Sequence, residues 1–155
     1  MHRAILFLLV LAVGNVSCDS TVEPVEFAVQ STEGSQITIL FNGESYEFSY
    51  LVEVRQDQED IHIRGFNSES RGVAIDLFRV DGPGVYFISP FIARRANIQF
   101  YFTRDDVYLV RQASSQILTV TDMTSSEIAG TFRVAAFKPG GDATIIEGHF
   151  RCSLL

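Results

Sequence analysis

Residues Ile128 to Leu154 read IAGTFRVAAFKPGGDATIIEGHFRCSL, and this stretch decides the fold class. Ile128, Gly130, Phe132, Val134 and Ala136 share one parity, and so do Ile146, Gly148, Phe150, Cys152 and Leu154. Apolar residues at every second position belong to a strand, because successive side chains point to opposite faces of a sheet. Lys138-Pro139-Gly140-Gly141-Asp142 separates the two runs with turn-forming residues, so the spacing predicts an antiparallel hairpin. Gly130-Thr131-Phe132-Arg133 is echoed by Gly148-His149-Phe150-Arg151. Glycine inside a strand marks a bulge, a bend or a close backbone approach, and a shared bend in two paired strands is the expectation here.

The same period extends upstream. Ile37, Ile39 and Phe41 fall on one face before Asn42-Gly43, the strongest short hairpin signal, since both central residues of a type I′ turn need positive φ. The chain returns through Tyr46, Phe48 and Tyr50 to Val54 and turns at Asp57-Gln58-Glu59-Asp60 into Ile61-His62-Ile63-Arg64. Val73, Ile75 and Leu77 make a further strand, stopped by Asp81-Gly82-Pro83-Gly84 before Val85-Tyr86-Phe87-Ile88. Ile98, Phe100 and Phe102, then Val107-Tyr108-Leu109-Val110, then Leu118 and Val120 complete the series, and Val25, Phe27 and Val29 precede it. No helical period competes. The expectation is an all-β domain, an antiparallel β-sandwich or flattened barrel of about 9–11 strands.

The N-terminus reads as an address. Arg3 precedes an uninterrupted apolar run, Ala4 to Val13, too short to span a bilayer but suited to the core of an export signal. Two cleavage readings compete. Asn15-Val16-Ser17-Cys18 reads as a lipobox that makes Cys18 the lipidated N-terminal residue, and acyl chains there would anchor the protein durably. Alternatively, Ala12-Val13-Gly14 is an ordinary small-x-small site, which leaves Cys18 as a free or disulfide-bonded thiol. With the first reading, residues 1–17 are the signal peptide, 18–24 the lipidated cysteine and polar tether, and 25–155 a single all-β domain. Cys152 lies on the apolar parity of its strand and reads as a small buried hydrophobe; pairing with Cys18 is the rival in an oxidising compartment.

The net charge of the chain is −7, and loss of the signal removes Arg3 and no acidic residue. Such a surface offers no basic footprint for nucleic acid and disfavours direct docking on anionic lipid.

Phe41-Asn42-Gly43 with Tyr46, Gly84-Val85-Tyr86, Leu118-Thr119-Val120-Thr121-Asp122, Ile128-Ala129-Gly130-Thr131-Phe132 and Ile146-Glu147-Gly148-His149-Phe150 occur in this order between Gln36 and Cys152. Together they resemble a group of small β-rich bacterial lipoproteins of unknown function, of the Bacteroidota type, with Tyr46 where that group more often has Trp. The resemblance implies an exported β-rich lipoprotein domain and assigns no catalytic residue.

Catalytic and metal chemistry finds little support in the residues. His62 and His149 sit on polar strand parities and make no metal-ligand spacing. Asp57, Glu59 and Asp60 lack the register of a calcium loop, and Asp76, between Ile75 and Leu77, is assigned by parity to the outer face. Aromatic and arginine side chains carry the binding expectation. Tyr86, Phe91, Arg94, Arg95, Tyr101 and Tyr108 are candidate ligand-binding residues, against the alternative that the aromatics form a second core face. The functional expectation is a non-catalytic envelope lipoprotein, a binding or accessory module held at the membrane by its N-terminal lipid, without cofactor or metal, facing periplasm or cell surface. A glycan or an envelope protein is the expected partner. A structural or assembly protein is the alternative, and a small hydrolase a third, which requires Asp57, Asp60 or His62 to converge in one pocket.

Overall fold

The computed structural model describes residues 34–89, 91–103, 106–110 and 116–154. Cys18, the signal and tether segments, and the Val25, Phe27, Val29 alternation lie outside the described residues.

The described chain is all-β, with eleven strands: β1 (Gln36–Phe41), β2 (Glu44–Phe48), β3 (Leu51–Asp57), β4 (Asp60–Phe66), β5 (Gly72–Phe78), β6 (Gly84–Phe87), β7 (Arg95–Tyr101), β8 (Val107–Val110), β9 (Ile117–Met123), β10 (Glu127–Phe137) and β11 (Ala143–Ser153). They form one mostly antiparallel sheet in the order β2-β1-β11-β10-β9-β6-β7-β5-β4-β3, with β8 lying between β10 and β7. The single parallel contact among the described residues is the β6–β7 bridge at Phe87 and Arg95. The sheet curls so that its inner faces enclose one core, as expected of a sandwich or flattened barrel.

The turns follow from residue type. Asn42 and Gly43 both take positive φ, 53° and 83°, as the β1–β2 hairpin demands. The β10–β11 hairpin pairs all eleven residues of each strand, from Glu127↔Ser153 to Phe137↔Ala143. Between β2 and β3 the sequence pattern runs on, but the structure does not. Ser49 and Tyr50 break the strand, Tyr50 is 73% exposed, and β2 and β3 become the two ends of the strand order. The period-two pattern hides this corner because Tyr50 keeps the parity of Phe48 and Val52.

The Gly-x-Phe echo is explained by antiparallel pairing. Gly130 lies opposite Phe150, and Phe132 lies opposite Gly148. Each phenylalanine ring occupies the space that a β-carbon on the facing glycine would need. The β10–β11 register itself runs without interruption, and the irregularity lies next door. Val120 pairs with Gly130 and Asp122 with Ala129, which leaves Thr121 as the extra residue of a bulge in β9. Across the core, Phe100 from β7 meets Phe132 from β10 at 6.0 Å between ring centres. Cys152 is fully buried with a free thiol, and burial pushes that thiol up to about 12, so it stays protonated and unreactive at neutral pH.

Candidate functional site

The outer face of β4, β5 and β7 carries the most organised polar chemistry of the described residues. Register places His62 beside Asp76 and Asp76 beside Asn97. The Asp76 carboxylate accepts from His62 Nδ1 at 2.8 Å, from an Arg64 terminal nitrogen at 2.6 Å and from Asn97 Nδ2 at 3.4 Å. Burial opposes its charge, but the hydrogen bonds from His62 and Arg64, the Arg64 charge and the Asn97 bond together outweigh it and hold the carboxyl below the usual value. The bond to a carboxylate fixes the proton of His62 on Nδ1 and thereby the plane of its ring. That ring stands edge-on to Phe78, 6.1 Å between centres. The other neighbour of Phe78 is Arg95, its cross-strand partner on β7, whose guanidinium lies 4.5 Å from the ring centre.

β5 ends in an unusual turn. Arg79 takes φ of 55°, a region that costs a side-chain-bearing residue about 1 kcal/mol or more. Two hydrogen bonds from the β3–β4 hairpin hold it there: Arg79 N–H donates to Asp60 Oδ1 at 3.0 Å, and Val80 N–H donates to the Glu59 carbonyl at 2.6 Å. The turn, the start of β7 and the segment before it enclose a cleft of about 360 Å³. Asp60, Phe78, Arg79, Phe91, Ile92 and Arg95 line it, along with Ala93, and its walls are mainly polar. Phe91 is 94% exposed at this cleft, the most exposed of the large hydrophobic side chains described.

Charge pairing sets the cleft apart. Nine Lys and Arg side chains fall among the described residues. Seven are ion-paired: Arg55 with Asp57, Arg64 with Asp76, Arg71 with Glu69, Arg94 with Asp81, Arg133 with Glu147, Lys138 with Asp106 and Arg151 with Glu127. The two without a carboxylate partner among the described residues are Arg79 and Arg95. Both line this cleft.

Comparison with protein-family models, with curated proteins and with solved structures finds no match. The site is therefore argued from its own chemistry.

Of the six residues nominated from sequence, the structure brings two together in this cleft, Phe91 and Arg95. Tyr86, grouped in the sequence with exposed aromatics, is fully buried, and its hydroxyl donates to the Gly82 carbonyl at 2.9 Å. A four-residue strand leaves parity undecided until its neighbours are known, and β9 sets Tyr86 opposite Leu118, facing inward. Arg94 turns away from the cleft to Asp81, which its Nε reaches at 2.7 Å, and lies over the Tyr86 ring. Tyr101 occupies the far end of β7, about 20 Å from Arg95 at roughly 3.3 Å per residue, where its hydroxyl donates to Gln99. Tyr108 belongs to an aromatic cluster with Phe41 and Phe102 that leans on the core. The alternative of a second apolar packing role thus describes Tyr86 and Tyr108.

Asp57, Asp60 and His62 do not converge. Asp57 pairs with Arg55 on the exposed hairpin, His62 is turned to Asp76, and Asp60 alone lines the cleft. No group of three His, Cys, Asp or Glu residues among the described residues is placed to hold a metal ion. Arg79, Phe78 and Asp60 were not singled out for this site by sequence reasoning; a lone arginine closing an alternating strand was the available signal.

A larger concavity, about 590 Å³, lies over the outer faces of β1, β11, β10 and β9, with Thr38, Leu40, Thr131 and His149 among its lining. Its arginine, Arg133, is already satisfied by Glu147 at 2.6 Å. Volume favours this surface, whereas unpaired charge beside an exposed ring favours the smaller cleft. The second criterion bears on affinity more directly, since buried hot-spot contacts rather than area set binding energy.

Proposed function

We propose that this chain is an exported lipoprotein, anchored through Cys18, whose β-domain is a non-catalytic binding module of the cell envelope with its ligand seated in the Arg79–Phe91–Arg95 cleft. The export-type N-terminus and the cysteine after Ser17 support the anchor. The single observation that carries the binding reading is the convergence of the two unpaired arginines with Phe91. Exposed Phe costs solvation free energy that a partner would recover, about 25 cal/mol per Å² of apolar area covered. Arginine and aromatic side chains are also the groups most enriched where binding energy concentrates.

Two measurements test this reading. In cells fed a clickable fatty acid, the wild-type chain is expected to label and Cys18→Ala to lose the label; equal labelling refutes the anchor. A photo-cross-linking phenylalanine analogue at position 91 is expected to yield an adduct in intact cells that the same analogue at Tyr50 does not. Tyr50 is also exposed but lies at the β2–β3 corner, so equal or absent adducts at position 91 would remove the cleft from consideration.

A further inference from the structure

The chemistry of the cleft defines the class of ligand more narrowly. Building on the reading of this cleft as the binding site, we infer that it recognises an acidic saccharide, a sugar ring bearing a carboxylate, within an oligosaccharide.

Four observations lead there. Arg95 is held over the Phe78 ring. Stacking of that kind occupies the π-face of a guanidinium and leaves its in-plane N–H donors free for two parallel bonds to a carboxylate. Behind it, Asp76 holds His62 and His62 abuts Phe78, so the arginine rests on a supported ring rather than on solvent. Arg79, also in the lining, supplies a second cation, and the hydrogen bonds from the Arg79 and Val80 N–H groups to Asp60 and Glu59 hold the backbone of its turn.

Phe91 supplies an exposed aromatic face. A sugar offers such a face its C–H side and offers the surroundings its hydroxyls, which matches one ring set in mainly polar walls. A wholly apolar ligand does not match, because it would strand the arginines and Asp60 without solvent or partner. Asp60 uses Oδ1 for the Arg79 N–H, and its other oxygen can accept a ligand hydroxyl. The volume, about 360 Å³, is at the small end of ligand sites and holds about two sugar rings.

The overall charge of −7 limits how much negative charge the ligand can carry. A densely sulfated chain or a nucleic acid would meet net repulsion from the acidic chain beyond the two arginines. One carboxylate per ring, with hydroxyls between, meets little.

The test is calorimetric titration of the full-length protein in detergent with trigalacturonate, with its methyl ester, and with inorganic sulfate. Trigalacturonate is expected to bind and the ester to bind at least tenfold more weakly. Arg79→Gln, Arg95→Gln and Phe91→Ala are each expected to weaken trigalacturonate about tenfold or more, which is about 1.4 kcal/mol, while Arg133→Gln in the larger concavity leaves it unchanged. Thermal melting of each variant identifies any loss caused by unfolding; Arg79 and Phe91, both exposed, serve should Arg95→Gln lose its stacked position. Equal binding of the ester overturns the carboxylate, sulfate competing at the same concentration overturns the sugar, and unchanged affinity in Phe91→Ala overturns the stacking. Absence of trigalacturonate binding overturns the ligand class. If the position-91 adduct still forms in cells, the binding reading stands without that class; if it does not, both fall.

Discussion

At the residue scale, Asp76 is the most instructive position. It sits on a strand whose neighbours Ile75 and Leu77 are fully buried, yet its side chain is on the outer face with three polar partners. Its folded-state carboxyl titrates below 3.8, so the folded chain binds fewer protons there than the unfolded chain does. Stability from this group is therefore complete above the unfolded value and is lost as pH falls below it and through the folded value. Asp76→Asn is expected to cost about 1–2 kcal/mol at pH 7, the usual worth of charge-assisted hydrogen bonds in a half-shielded site. Urea denaturation across a pH series checks the sign: the gap between wild type and Asp76→Asn narrows on acidification below 3.8. A gap that widens there contradicts the assignment. Parity alone placed Asp76 on the correct face, and His62 with it. What parity could not supply is that β4 and β5 align these two residues in one register row, because register depends on the geometry of the turn that joins the two strands.

At the scale of elements, the reciprocal Gly–Phe pairs tie β10 to β11. A β-carbon at Gly148 would stand 2.8 Å from the Thr38 carbonyl oxygen as well as inside the Phe132 ring. One at Gly130 would stand 2.6 Å from both the Thr119 carbonyl oxygen and the Phe150 ring. Backbone cannot yield cheaply, so Gly148→Ala and Gly130→Ala are each expected to destabilise by about 1–3 kcal/mol, the cost of overpacking. Gly141, with Lys138 atoms no nearer than 3.6 Å, is the control and should lose far less. Chemical denaturation midpoints decide; if Gly148→Ala and Gly141→Ala match, the rings are not what the glycines accommodate. The echo itself was legible in the sequence, and so were the hairpin and its turn. The reason for the echo was not, since only antiparallel pairing with Gly130 opposite Phe150 converts two copies of Gly-x-Phe into mutual fits. The cleft shows the same limit. Phe91 and Arg95 are four residues apart in the chain, but Arg79 and Asp60 reach them only through the turns after β5 and β3.

At the scale of the whole molecule, the question is what keeps the curled sheet closed where no strand pairing does so. β2 and β3 are the ends of the strand order, and closure there relies on side chains from facing layers. Gly65 of β4 sits at one such contact. A β-carbon on it would lie 2.8 Å from Ile37 Cδ1 of β1 and 3.2 Å from Phe48 Cβ of β2, so the absence of a side chain at 65 is what lets the two layers meet. Gly65→Ala forces the layers apart or displaces Ile37, and is expected to cost about 1–3 kcal/mol. Ile37→Val removes the Cδ1 atom that is struck, at a cost of about 0.5–1.5 kcal/mol by itself. The pair should then be less destabilised than the sum of the singles, by roughly 0.5 kcal/mol or more, as contacting residues show when one change relieves the other. A buried control, Ile98→Val of β7, should add to Gly65→Ala without relief. Denaturation of the four proteins in each cycle measures the difference, and strict additivity with Ile37→Val would mean that closure is carried elsewhere along the sheet.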